Sequence, residues 1–199
     1  MILLCISLTS MVSFAEISEI INQCNDCHGK EGLSSESDIP IIAGQSVYLI
    51  EDALLAFAEK ERPCKLSEYR HGDRSRQKIS MCDIAKKLSD DEKTELSQHY
   101  GDLPFVGVKQ DYDSTFIEKG ATIHERHCEK CHSQGGTLAD DDAGILAGQW
   151  TPYLRSSIKK FLAQQRPMAD KMAKKINRLK PEDFEALFSF YASNKQADE

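Results

Sequence analysis

The chain has 199 residues, 40% of them hydrophobic and 29% charged, with a formal net charge of −7. This is an ordinary balance for a globular chain of one or two domains. No apolar run reaches the roughly 18 to 20 residues that a membrane-spanning helix needs, so no membrane span is expected.

The first segment differs from the rest. Residues 1–15 carry no charge and are mostly apolar, and Ser13-Phe14-Ala15 fits the small-x-small pattern that precedes a signal-peptidase cut. The expectation is a signal peptide over residues 1–15, a mature chain from Glu16 and a periplasmic location. The usual basic lead-in is missing, which leaves room for a start codon further upstream. The alternative reading is a buried N-terminal helix. Cys5 falls inside this leader.

A helix is expected next, from Ile17, Ile20 and Ile21. It runs into Cys24-Asn25-Asp26-Cys27-His28. A second helix is expected over residues 48–60. Arg62-Pro63 follows, and then Cys64 and Cys82 bracket a stretch that ends at Met81. Ser89-Asp90-Asp91-Glu92 reads as a capping box that opens another helix. Residues 101–114, with Pro104 and Gly107, read as a linker.

The second half repeats the first. Phe116, Ile117 and Ile123 lead into Cys128-Glu129-Lys130-Cys131-His132, and residues 153–165 are again helix-like. Ala43-Gly44-Gln45 follows His28 at the same spacing at which Ala147-Gly148-Gln149 follows His132. A Tyr-Leu pair comes after each, Tyr48-Leu49 and Tyr153-Leu154. Arg62-Pro63 and Arg166-Pro167 also lie equally far beyond Ala43 and Ala147. The last helix starts at Pro181 with Glu182 and Asp183 in its first turn. No strand-like alternation stands out. The expected architecture is all-α, with domains over residues 16–100 and 115–199.

C-x-x-C-H is the attachment signature of a c-type haem. Two thiols add to the two vinyl groups of one porphyrin edge, and the next residue offers its imidazole to the iron. A redox disulfide or a zinc site also uses C-x-x-C, but neither explains the two trailing histidines. Cys24, Cys27, Cys128 and Cys131 are therefore expected to attach two haems covalently, with His28 and His132 as iron ligands.

The repeat also nominates the opposite ligands. Met81 precedes Tyr100 at the same distance along the chain at which Met172 precedes Tyr191. Leu88 and Leu179 lie equally far beyond the two methionines. A thioether opposite histidine raises the reduction potential of a haem. The rivals are Met168 for Met172 and His71 for Met81, and a methionine can also be core filler.

The halves differ in one place. The span from Arg62 to Met81 is much longer than the span from Arg166 to Met172, so the first half carries an insertion just before its methionine. A Cys64–Cys82 disulfide is expected across that insertion, worth on the order of 3 kcal/mol in the chain-entropy model. It would hold the loop that presents Met81. Two free thiols, or a metal site with His71, are the alternatives. Each half is small for a purely apolar core, and a haem would supply the missing apolar volume.

Charge is uneven. Residues 155–180 hold nine basic side chains and one acid, Asp170, whereas Asp140-Asp141-Asp142 is an acidic run. Lysines around Met172 could ring an exposed haem edge and steer an acidic redox partner; a solvated helix face is the plainer reading. An exported haem protein with this net charge is not expected to bind nucleic acid.

The mature chain resembles the tandem dihaem class I cytochromes c. Its second half is similar to the cytochrome subunit of flavocytochrome c sulfide dehydrogenase. The residues that carry this are Cys128 to His132, Gly135-Gly136, Ile145 to Leu154, Arg166-Pro167-Met168, Lys171-Met172-Ala173 and Ala186 to Ser193. The resemblance implies a flavoprotein partner that oxidises sulfide and sends electrons through two haems to a soluble carrier such as a small cytochrome. The chain has no G-x-G-x-x-G string, so a flavin is expected on the partner. The Cys64 to Cys82 insertion departs from that family and leaves the partner open. A free-standing carrier to a terminal oxidase and a thiosulfate-oxidising haem enzyme are the other readings. The enzyme would need an open sixth position on an iron. No constellation for proton or group transfer is evident, so no catalytic residue is expected.

Overall fold

The computed structural model describes residues 14–139 and 143–194. Most of the expected leader, Cys5 and the acidic run at residues 140–142 lie outside these. The first helix begins at Phe14, before the expected cut. In the first half α1 is Phe14–His28, α2 Val47–Ala58, α3 Met81–Ala85 and α4 Asp90–Gly101. In the second, α5 is Ile117–His127, α6 the single turn Ser133–Gly136, α7 Thr151–Leu162, α8 Asp170–Ile176 and α9 Pro181–Ser193. The architecture is all-α, and among the described residues no helix is long and apolar enough to cross a membrane.

The helix ends follow local chemistry. Ser46 accepts the Leu49 N–H at the start of α2. Ser80 and Asp83 form a reciprocal capping box at α3, as Ser89 and Glu92 do at α4. Asp183 accepts the Lys180 N–H at 3.0 Å, at the start of α9.

Each half closes its own core. Leu54, Ala85, Leu88, Leu96 and Tyr100 form the first, with Ile17, Ile20 and Ile21 packed on it. Leu154, Ile176, Phe184, Leu187, Phe188 and Tyr191 form the second. In the second half α5 crosses α9 closely at Gly120. A Cβ there would meet the Ala186 carbonyl oxygen and sit 2.6 Å from the Phe190 Cβ. Glycine is required because the helix backbones approach so near.

One register holds through the first part of the repeat. It pairs Cys24 with Cys128, Ala43 with Ala147, and Val47 at the start of α2 with Thr151 at the start of α7. This corrects one landmark. In this register Tyr48 matches Pro152 and Tyr153 matches Leu49, so the two Tyr-Leu pairs are not equivalent. Tyr48 is 68% exposed, whereas Tyr153 is half-buried.

A third cluster joins the halves: Ile41, Ala43, Phe105 and Ile145, flanked by Trp150. Here Gln45 and Gln149 exchange places. The Gln149 Oε1 accepts the Ile41 N–H at 3.0 Å, and its Nε2 donates to the Ile41 carbonyl at 2.9 Å. The Gln45 Oε1 accepts the Ile145 N–H at 2.9 Å. The Trp150 indole N–H donates to Ser34 O at 2.8 Å. The segment expected as a linker is held down rather than free. Phe105 is buried beneath Gly44, Val108 N–H donates to Gly148 O, and Gln110 bridges Gln149 O and Thr151 N–H. A buried backbone must find such partners, and the second half supplies them.

Candidate functional site

The two attachment strings end helices. Cys24, Cys27 and His28 close α1, and Cys128 to His132 follow directly on α5. The imidazoles are held alike. Nδ1 of His28 lies 2.9 Å from Pro40 O, and Nδ1 of His132 lies 3.0 Å from Gly144 O. The two carbonyls are equivalent positions of the repeat. A carbonyl only accepts, so each Nδ1 carries the proton and each Nε2 keeps its lone pair, the arrangement a metal-binding histidine needs. Burial pushes both imidazoles below the usual histidine range and keeps them neutral.

None of the four cysteines is in a disulfide. Burial raises the thiols of Cys24, to about 11, and of Cys27 and Cys128. Cys24 and Met81 pack against the first core, and Cys128 and Met172 against the second. Each half thus brings the first cysteine of its string and its nominated methionine to one apolar cluster. Met168 packs on the second core as well. His71 instead sits over the attachment string, where its N–H donates to Asp26 O at 2.9 Å. Its Nε2 is buried with no hydrogen-bond partner.

Cys64 and Cys82 are joined in a disulfide at the base of the insertion. Ser67 and Ile79 pair across the same loop. Among the described residues no three His, Cys, Asp or Glu side chains gather as a metal site.

The sites also use residues that motif reading did not pick out. In the second, buried His124 is bonded to Tyr191 Oη at 2.9 Å and to Glu129 Oε2 at 2.6 Å. In the first, the equivalent tyrosine, Tyr100, donates to Asn25 Oδ1 at 3.0 Å. Asn25 and Glu129 are equivalent positions of the repeat, so a neutral pair stands where the other half has a titratable chain. Arg62 stacks on Phe57 and Arg166 on Phe161, again equivalent pairs. The two guanidiniums act on each other and on Tyr153. Burial alone would raise that phenol, but Arg166 and Arg62 bring it down to about 8. Burial, with Arg166 beside it, lowers Arg62 to about 10. The aligned Arg-Pro strings were the available signal for this pair.

The residues present fit two covalently attached haems. Each half has two cysteines outside any disulfide, one imidazole fixed by its Nδ1 (buried in His28, partly buried in His132) and a thioether against the same core.

No protein-family model matches the chain, and no curated protein resembles it closely enough to stand as a relative. Solved structures share its fold. Cytochrome c4 from Acidithiobacillus ferrooxidans has a TM-score of 0.70 at 20% identity, covering 86% of this chain and 99% of that one. Reduced recombinant cytochrome c4 from Pseudomonas stutzeri has a TM-score of 0.71 at 19% identity, covering 92% and 100%. Thiosulfate dehydrogenase (TsdBA) from Marichromatium purpuratum has a TM-score of 0.67 at 21% identity; 86% of this chain matches, across 36% of that one. The fold is that of tandem class I cytochromes c.

Proposed function

We propose that the protein is an exported dihaem electron carrier. One haem is attached at Cys24 and Cys27 with His28 and Met81 as axial ligands, the other at Cys128 and Cys131 with His132 and Met172. The observation that carries this is the matched pair of histidines. Each follows a C-x-x-C, is fixed through Nδ1 by the same carbonyl of the repeat, and has Nε2 free.

A haem in each site supplies one-electron chemistry at its iron. The chain's own residues do the rest. The cysteines tether the ring edge, and the Pro40 and Gly144 carbonyls orient the imidazoles and make them more basic. Met81 and Met172, packed on the two cores, would hold the irons through their thioethers, a ligand type that raises the potential. Thioether ligation by both methionines would leave no open site for a substrate, which favours a carrier over an enzyme acting alone.

The proposed donor is a sulfide-oxidising flavoprotein, with a small soluble cytochrome as acceptor. The residues from Ile145 to Leu154 and from Ala186 to Ser193 support this through their resemblance to the cytochrome subunit of that complex. The second reading is a free-standing carrier, favoured by full-length likeness to cytochrome c4 chains. Purification from the periplasm, with flavin and haem read in one peak, separates the two. Flavin at one per two haems, with haem reduction on adding sulfide, supports the flavoprotein complex. A flavin-free monomer that sulfide reduces slowly supports the free carrier.

A further inference from the structure

The insertion at residues 64–82 does more than bring Met81 round. It folds back onto the first attachment string. Arg70 and His71 N–H both donate to Asp26 O, at 2.8 and 2.9 Å. The Arg76 guanidinium pairs with the Asp26 carboxylate and lies 3.6 Å from the centroid of the buried Tyr69 ring. Gly72, at φ 61°, comes so close that a Cβ would stand 2.5 Å from Asp26 Oδ1. Glu68 O lies 4.0 Å from Cys27 Sγ. Arg70 then ties the loop to Asp38 at 2.9 Å. Cys27 is only 8% exposed as a result.

The second half has no such loop, because the chain runs from Arg166 to Met172 by a short path. Lys130 occupies the position of Asp26, and both it and Cys131 are exposed. Lys171, Lys174 and Lys175 are exposed on α8, against one acid there, Asp170. Lys175 is close enough to Cys128 to act on its thiol. None of these four lysines is in an ion pair among the described residues.

A thioether places the porphyrin edge within a bond or two of its sulfur. Whatever covers that cysteine from outside covers the edge. We propose that the 64–82 loop caps the ring edge of the first site, and that an external redox protein with a carboxylate-rich face exchanges electrons at the open edge of the second. This rests on the two-haem reading above. Charge complementarity at such a face acts mainly on encounter rate and fades with salt.

The test begins with the haem count of the intact protein, so that failure of the two-haem reading shows separately. A neutral gadolinium chelate is then added to the reduced holoprotein, and broadening of the haem thioether resonances is followed by proton NMR. Resonances of the second haem should broaden several-fold more than those of the first. The Cys64→Ser/Cys82→Ser variant, and independently Arg76→Leu, should bring the first up to the second. Equal broadening in the unaltered protein would overturn the cap. For the exchange face the probe is the anionic oxidant hexacyanoferrate(III). Lys130→Glu with Lys174→Glu should slow its reaction roughly tenfold at low salt, while Arg74→Glu with Lys78→Glu on the cap should not. The reverse ordering would overturn the assignment of the face.

Discussion

At the scale of single residues, the sulfurs decide the chemistry. Met172 and Met168 both reach the second core, but only Met172 occupies the repeat position of Met81. Met172→Ala is expected to lower the potential of one haem and let the reduced protein bind carbon monoxide, while Met168→Ala does neither. Redox titration and the carbon monoxide difference spectrum check this. Tyr153 gives a pH signature. Its folded value of about 8 lies below the ordinary 10, so folding favours the phenolate. That contribution is complete above the ordinary value and lost as pH falls through 8. Arg62 titrates only from about 10 upward. Stability should therefore rise between about pH 8 and 10, and Tyr153→Phe should flatten the rise in denaturant titrations; a wild-type curve flat over that range would count against the phenolate.

At the scale of elements, the helices were legible because their signals are local. Ser89 with Glu92, and Pro181 with Asp183, mark starts that the structure places at Asp90 and Pro181. The crossing of α5 and α9 was not legible, since nothing beside Gly120 in sequence announces the Ala186 carbonyl above it. Gly120→Ala is expected to cost about 1–3 kcal/mol through forced separation of the two helices, measured by chemical denaturation of the holoprotein. The insertion was legible in length and in its bracketing cysteines, but not in direction. Its path is set by backbone N–H groups reaching Asp26 O and by Arg76 on Tyr69, contacts that carry no periodicity. The two Tyr-Leu pairs misled because residue identity matched where register did not.

At the scale of the whole molecule, two halves of one repeat face each other through crossed glutamines. The Ala-Gly-Gln strings were visible as landmarks, but their role was not, because each glutamine acts on the other half. Gln149→Leu would leave the Ile41 N–H and carbonyl buried without these partners, at a cost of about 1–3 kcal/mol. Gln45→Leu would orphan the Ile145 N–H in the same way. Both variants should keep their haem spectra while the interface between halves loosens, read as a rise in amide hydrogen exchange at Ile41 and Ile145. The segment at residues 101–114 looked like a linker from its Pro and Gly content, yet Phe105 and Gln110 are part of that interface. Composition reports local stiffness and polarity, not what a distant chain brings to meet it.

Each half is proposed to hold one covalent haem. The most direct test is the intact mass of the protein expressed with an export signal in a host able to attach haem c, with peptide mapping of the two C-x-x-C-H strings. The expected mass is that of the mature chain plus two haems, one on Cys24–Cys27 and one on Cys128–Cys131. A mass with no haem or a single haem, or free thiols in either string, would contradict it.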